Sequence, residues 1–112
     1  MLYILNTLVV PVNFAQHPNI TVTFKRVTVE EARALLNSNP NFVSAVGHEA
    51  TAQLLTKLLG VQIPFNRISV YLKPGDRCLH FFLRSRLPEG RVLTEDELQK
   101  LDFWLVLSEV QG

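Results

Sequence analysis

ITVTFKRVTVEEARALL, residues 20–36, predicts a strand that runs directly into a helix. Residues 20–27 alternate well enough for a strand, with Val22 and Phe24 on one side. Thr28 and Glu31, three residues apart, form a capping-box pattern, and the helix that it opens ends before the breaker at residues 37–41. A strand followed at once by a helix indicates a domain that contains both kinds of element.

Outward from this stretch, apolar periodicity and chain-breaking residues predict further elements. They are a buried strand from Leu2 to Val10, a short apolar run at residues 42–46 that leads into Gly47-His48, a helix from about Ala50 to Leu59 that ends at Gly60, a short helix opened by the Thr94 and Glu97 capping box, and a last strand from Asp102 to Val110.

A hairpin is also predicted, with strands at residues 67–73 and 77–84. Its turn is Lys73-Pro74-Gly75-Asp76, in which Pro and Gly hold the central positions that suit them. Counting outward from the turn places Val70 opposite Leu79, and it gives the hairpin one face that is apolar throughout.

These segments predict an α/β fold with a mixed β-sheet of about five strands, flanked by two or three helices that do not alternate regularly with the strands. A chain of 112 residues fits a single domain, residues 1–112. A domain of this length buries roughly two-thirds of its unfolded surface, so a disulfide or structural metal is not needed.

Composition excludes several classes of protein. The longest apolar stretch, Leu2 to Val12, contains Asn6 and Pro11, is too short to span a bilayer and has no basic residue before it, so neither a signal peptide nor a membrane anchor is expected. The single cysteine, Cys78, excludes an internal disulfide and a zinc ribbon. A cytoplasmic location is therefore expected.

The formal net charge of +1 argues against binding to long nucleic acid, which requires many phosphate contacts. The charge is nevertheless uneven, because residues 67–91 carry more bases than acids. This uneven charge suits a compact anion. The basic residues are Arg67, Lys73, Arg77, Arg84, Arg86 and Arg91, and the acidic ones are Asp76 and Glu89.

The sequence contains no phosphate loop, no GxSxG or HExxH motif, and no cluster of metal ligands at the usual spacing. His48 is predicted at a helix N-terminus, a position that favours phosphate. With the basic residues and the turn at Arg86–Gly90, it fits phosphodiester cleavage by a ribose 2′-hydroxyl, which requires no metal. Each feature also has a simpler interpretation: a structural histidine, arginines that cover apolar surface, and an ordinary turn.

Five short motifs occur in a characteristic order: residues 44–52 around Gly47-His48, Asn66-Arg67, Gly75-Asp76, Arg86-Leu87-Pro88-Glu89-Gly90, and Val92-Leu93-Thr94. In combination they resemble the viral anti-CRISPR ring nucleases, a family of proteins that viruses and prophages encode. The resemblance runs from Leu5-Asn6 to the last strand, which is nearly the whole chain.

The resemblance implies a homodimer that binds cyclic tetraadenylate, the messenger of type III CRISPR defence, across its interface. It also implies cleavage without metal or cofactor, to linear diadenylate that ends in a 2′,3′-cyclic phosphate. By the same resemblance, His48 is the general acid, assisted by Glu89, and the ligand contacts are Asn6, Thr7, Gly47, Arg67, Arg86 and Gly90.

One departure concerns the N-terminal part of this site. Some members of the family place a hydroxyl residue shortly after the first Leu-Asn pair, where this chain has the apolar Leu8 and Val9. The contact would then come from Asn6, Thr7 or Asn13.

Two other classes of function remain open. One is a dimer of viral origin that binds a cyclic nucleotide or a host protein without turnover. The other is a small viral DNA-binding dimer, against which the near-neutral charge and the lack of a recognisable reading helix both count.

Overall fold

The computed structural model describes residues 1–84, 97 and 100–112. Its strands are β1 (Leu2–Leu5), β2 (Thr21–Val27), β3 (Val43–Ser44), β4 (Arg77–Leu83) and β5 (Phe103–Gln111), and its helices are α1 (Val29–Ser38) and α2 (Glu49–Leu59). All five strands form one sheet in the order β2-β5-β4-β1-β3. β1 is parallel to β3 and β4, whereas β5 is antiparallel to β4 and β2. The predicted mixed sheet with helices is confirmed.

The strand-to-helix junction at residues 20–36 is as predicted. Thr28 caps α1, and its hydroxyl accepts from the Glu31 N–H at 3.1 Å while the Glu31 carboxylate accepts from the Thr28 N–H at 3.2 Å. Gly60 ends α2 in the left-handed region, at a φ of 68°. Glycine adopts this conformation without the steric cost that a Cβ imposes.

The predicted first strand is too long, because β1 ends at Leu5. Beyond it the chain leaves the sheet, and Val12 next forms a single parallel bridge with Leu72. Val10 and Val12 pack over one face of the sheet instead of extending it. An apolar run suits both positions equally, which explains the error.

The predicted hairpin is wrong, although its turn is correct. The Asp76 N–H donates to the Lys73 carbonyl at 3.0 Å, and Gly75 has the positive φ of 95° that a type II turn requires. Residues 67–73, however, do not pair with β4, because both edges of β4 are taken by β1 and β5. The predicted pairing of Val70 with Leu79 is therefore absent.

Two apolar cores cover the two faces of the sheet. The larger core lies between the sheet and the helices, where Ile4, Leu79 and Phe81 meet Leu36 and Leu55. The smaller core lies on the opposite face, under the segments that flank residues 12 and 72. Side chains alternate along a strand, so β1 and β4 contribute to both cores.

The last strand is confirmed to within one residue at each end. The predicted capping residue Thr94 lies outside the described residues. In the part of the chain that the structure describes, no helix has the length and apolar character needed to cross a membrane.

Candidate functional site

The parallel strands β1, β3 and β4 end at the same edge of the sheet, here called the carboxyl edge. In open α/β sheets, ligands bind outside the carboxyl ends of the strands. The predicted site residues Asn6 and Thr7 follow β1, and Gly47 and His48 come shortly after β3. The sheet therefore brings together segments that are about 40 residues apart in the chain.

His48 is the N-cap residue of α2, as predicted. Its backbone is extended, and its carbonyl accepts from the Ala52 N–H at 3.0 Å. The imidazole makes no capping hydrogen bond and is exposed. The side chain is therefore available to a ligand, at the positive end of a helix dipole.

Arg67 lies beside the same helix start. A Cβ built on Gly47 would be 3.5 Å from Cγ of Arg67, so the arginine stem passes over the glycine backbone. The guanidinium is exposed, and no carboxylate among the described residues lies within 4 Å of it. Such a group can bind a phosphate by charge-assisted hydrogen bonds.

Asn66 holds this part of the chain in place. Its backbone N–H donates to the Val46 carbonyl at 2.9 Å, and its Nδ2 donates to the Ser44 carbonyl at 2.8 Å. The Ser44 hydroxyl in turn donates to the Pro64 carbonyl at 2.7 Å. These bonds hold the Asn66-Arg67 segment against the chain that leads into Gly47, a role that was not predicted for Asn66 although it lies in the Asn66-Arg67 motif.

The N-terminal part of the site consists of Asn6 and Thr7. Oδ1 of Asn6 lies 3.5 Å from the Gly47 N–H, which joins the end of β1 to the start of α2. The Thr7 side chain is exposed. The structure thus brings together Asn6, Gly47, His48 and Arg67, with Thr7 adjacent in the chain.

The remaining predicted residues Arg86, Glu89 and Gly90 lie outside the described residues. The basic residues of the predicted cluster that the structure describes do not all lie together. Arg77 lies at the opposite edge of the sheet, where it donates to Asn39 Oδ1 at 3.1 Å. Arg84 lies at the carboxyl edge, but it pairs with Asp102 at 3.4 Å and covers the Trp104 ring at 4.8 Å.

His80 is fully buried, in agreement with the prediction that it is a packing residue. Both of its ring nitrogens nevertheless have partners: Nδ1 lies 2.7 Å from the Thr7 carbonyl oxygen, and Nε2 lies 2.7 Å from the Ser108 hydroxyl. Burial lowers the pKa of His80, and the bond to the Thr7 carbonyl opposes this only in part. The neutral form is therefore favoured. No local sequence pattern predicts these two contacts, because the partners are 73 and 28 residues away.

The arrangement can bind and protonate a phosphodiester. The guanidinium and the helix start supply positive charge, and the free imidazole can transfer a proton. Among residues 1–84, 97 and 100–112, no group of three or more His, Cys, Asp or Glu side chains could hold a metal ion.

Comparison with known proteins identifies relatives from archaeal viruses. The chain is 44% identical to protein 26 of Sulfolobus islandicus filamentous virus (isolate Iceland/Hveragerdi), over 98% of this chain and 92% of that protein. It is 42% identical to protein ORF117 of Acidianus two-tailed virus, over 92% of this chain and 87% of that protein.

Among solved structures, B116 of Sulfolobus turreted icosahedral virus superposes with a TM-score of 0.78. It is 24% identical, and the match covers 99% of this chain and 98% of that chain, which shows a common fold. The model of the STIV B116-like family matches residues 2–105. This chain therefore belongs to the STIV B116-like family.

Proposed function

We propose that this protein is a metal-independent ring nuclease, which cleaves cyclic tetraadenylate and so switches off type III CRISPR signalling. The observation that carries the proposal is the exposed His48 imidazole at the start of α2, together with Arg67, whose stem lies against the neighbouring Gly47. An acid and a phosphate-binding cation are the two groups that cleavage by a neighbouring 2′-hydroxyl requires. The identity of the ligand is inferred from the resemblance of the ordered motifs to the anti-CRISPR ring nucleases.

In this reaction the 2′-oxygen of one ribose attacks the adjacent phosphorus, and the bond from phosphorus to the 5′-oxygen breaks. The 2′-hydroxyl proton leaves to water. His48, in its protonated form, gives its proton to the departing 5′-oxygen. Two such cuts convert one ring into two linear diadenylates, each with a 2′,3′-cyclic phosphate.

Arg67 acts on the phosphate that is cut. A guanidinium hydrogen-bonds to the phosphate oxygens in the ground state, and the interaction strengthens as negative charge builds up in the transition state. Arg86 is proposed as a second phosphate contact, and Glu89 as an assisting residue. Asn6, Thr7, Gly47 and Gly90 are the other proposed ligand contacts.

The experiment that tests this function is incubation of the purified protein with radiolabelled cyclic tetraadenylate, with and without a strong chelator. We expect linear diadenylate with a 2′,3′-cyclic phosphate, at a rate that the chelator leaves unchanged. Loss of activity with chelator, followed by recovery with magnesium, would contradict the mechanism.

A homodimer with a shared site is part of the proposal, because a ring of four equal units can lie on the two-fold axis of a dimer. Phe82 of β4 and Trp104 of β5 form an aromatic patch, in which their ring centroids lie 5.8 Å apart, and Phe24 of β2 lies on the same face of the sheet. Phe24 is 55% and Phe82 36% exposed, which suits a contact made in part by the last strand.

We therefore expect the protein to sediment as a dimer, and Trp104→Glu to shift it toward the monomer by placing a charge in the aromatic patch. Sedimentation velocity over a range of concentrations measures both. A wild-type protein that stays monomeric at all concentrations and still cleaves the ring would refute the shared site.

The second candidate function is a dimer that binds a cyclic nucleotide or a host protein without turnover. The same basic site would bind the ring, so affinity alone does not separate the two. Tight binding of cyclic tetraadenylate with no linear product after prolonged incubation would favour this alternative.

A further inference from the structure

We propose that His80 is a positioning residue, which fixes the Asn6-Thr7 segment by donating a hydrogen bond from Nδ1 to the Thr7 carbonyl. This inference rests on the proposed function for its effect on ligand binding. It adds to the site a residue that lies beneath the ligand-binding surface and touches neither the ring nor the reacting atoms.

The hydrogen-bond partners determine which nitrogen carries the proton. A carbonyl oxygen can only accept, so Nδ1 of His80 must donate to Thr7, at 2.7 Å. In the neutral imidazole, Nε2 is then an acceptor, and it receives the proton of the Ser108 hydroxyl at 2.7 Å. The Thr7 carbonyl therefore selects the tautomer, and the Ser108 hydroxyl, which can donate or accept, fits it.

The ring itself has little freedom to move. His80 is fully buried in β4, between its neighbours β1 and β5. Its ring lies 6.1 Å from that of Phe24, measured between centroids, and Cys78 Sγ is 3.9 Å from Nδ1. The anchor for Thr7 is thus a side chain that the sheet already holds rigid.

The anchored segment is the one that leaves the sheet. β1 ends at Leu5, and Thr7 has an exposed side chain although its carbonyl accepts a hydrogen bond from the buried His80. The Thr7 side chain is therefore accessible to a ligand while its backbone is fixed relative to the sheet. The same hydrogen bond also steadies Asn6, whose Oδ1 faces the Gly47 N–H at 3.5 Å. Thr7 can therefore supply the hydroxyl contact that Leu8 and Val9 lack.

His80→Phe tests the proposal, since it retains a ring of similar shape but has no donor. If Thr7 makes one neutral hydrogen bond to the ligand, loss of its position should weaken binding of cyclic tetraadenylate by roughly 2- to 10-fold. The rate constant of the bound complex should change less, because His48 is untouched. His80→Asn retains a donor near the Nδ1 position and should restore most of the affinity.

Ser108→Ala is the matched control. It removes a hydrogen bond from the same buried imidazole but leaves the Nδ1 contact with Thr7 in place. It should lower the melting temperature and leave the affinity for the ring unchanged. If His80→Phe and Ser108→Ala lowered affinity equally, His80 would be only a stabilising residue and the proposal would be overturned.

A double-mutant cycle identifies the route of the effect. Because His80 acts through Thr7, His80→Phe should cause no further loss of affinity in a Thr7→Ala background. An equal loss in both backgrounds would overturn the proposal.

A ligand-free measurement separates this inference from the proposed function. Backbone NMR relaxation of His80→Phe, or of His80→Asn if the first variant does not fold, should compare residues 6–9 with β1. We expect greater mobility of residues 6–9 in His80→Phe, and near wild-type values in His80→Asn. The positioning role would be overturned, even in an active ring nuclease, by either of two results. One is unchanged relaxation of residues 6–9 in His80→Phe, and the other is mobility in His80→Asn as high as in His80→Phe. A wild-type protein that neither binds nor cleaves cyclic tetraadenylate would refute only the proposed function.

Discussion

Replacement of His48 by alanine should slow cleavage of cyclic tetraadenylate by roughly 10²–10⁴-fold, while the ring still binds with near wild-type affinity. The imidazole is exposed and makes no capping hydrogen bond, so its removal leaves α2 intact. In the proposed mechanism, only the proton donor for the departing 5′-oxygen is lost. Single-turnover kinetics measure the rate, and titration with the ring measures the affinity.

His17→Ala provides the matched control, because it removes a loop histidine that the proposed mechanism does not use. Its cleavage rate should equal that of the wild type. Added imidazole should partly restore cleavage by His48→Ala, since a small acid can enter the space left by the side chain. A wild-type rate for His48→Ala would show that another group protonates the leaving oxygen.

Arg67→Ala should impair both binding and turnover. A charge-assisted phosphate contact contributes about 1.5–3 kcal/mol, so the affinity for the ring should fall by roughly 10- to 150-fold. The rate in the bound complex should fall as well, because the contact strengthens with the charge of the transition state. The resemblance predicts the same pair of defects for Arg86→Ala. Titration and single-turnover assays separate the two effects.

Two controls make the Arg67 result specific. Lys25→Ala removes one positive charge from an exposed side chain of β2, the edge strand farthest from β3, and should leave both constants unchanged. Arg67→Lys keeps the charge but loses the planar fork, so it should recover only part of the affinity. Normal binding and cleavage by Arg67→Ala would exclude this residue from the site.

Local signals in the sequence predicted the elements well. The capping box of Thr28 and Glu31 and the left-handed Gly60 depend on groups within a few residues, and both are present. The hairpin failed because pairing is not local. Residues 67–73 carry the same alternation whether they join the sheet or pack across its face, and nothing near them reveals that β1 and β5 occupy both edges of β4.

The same distinction between local and distant contacts applies to the candidate site. His48 could be predicted because a glycine-histidine pair precedes an apolar helical pattern, and Arg67 because its motif resembles a known family. The supporting bonds could not be predicted. Asn66 bonds to Ser44 across 22 residues, and His80 bonds to Thr7 across 73 residues. Such contacts exist only once the strand order is known.

The position of β1 affects the order in which the molecule can assemble during synthesis. Its residues leave the ribosome before those of β4, yet Leu2 pairs with Arg77 and Leu5 with His80, about 75 residues later. Closing so long a loop is entropically costly and slow, whereas the helices can form from neighbouring residues alone. The segments of α1 and α2 are therefore synthesised before the centre of the sheet can form. Because β1 lies between β3 and β4, the segment that carries Asn6 has its full support only after residues 77–83 have been synthesised.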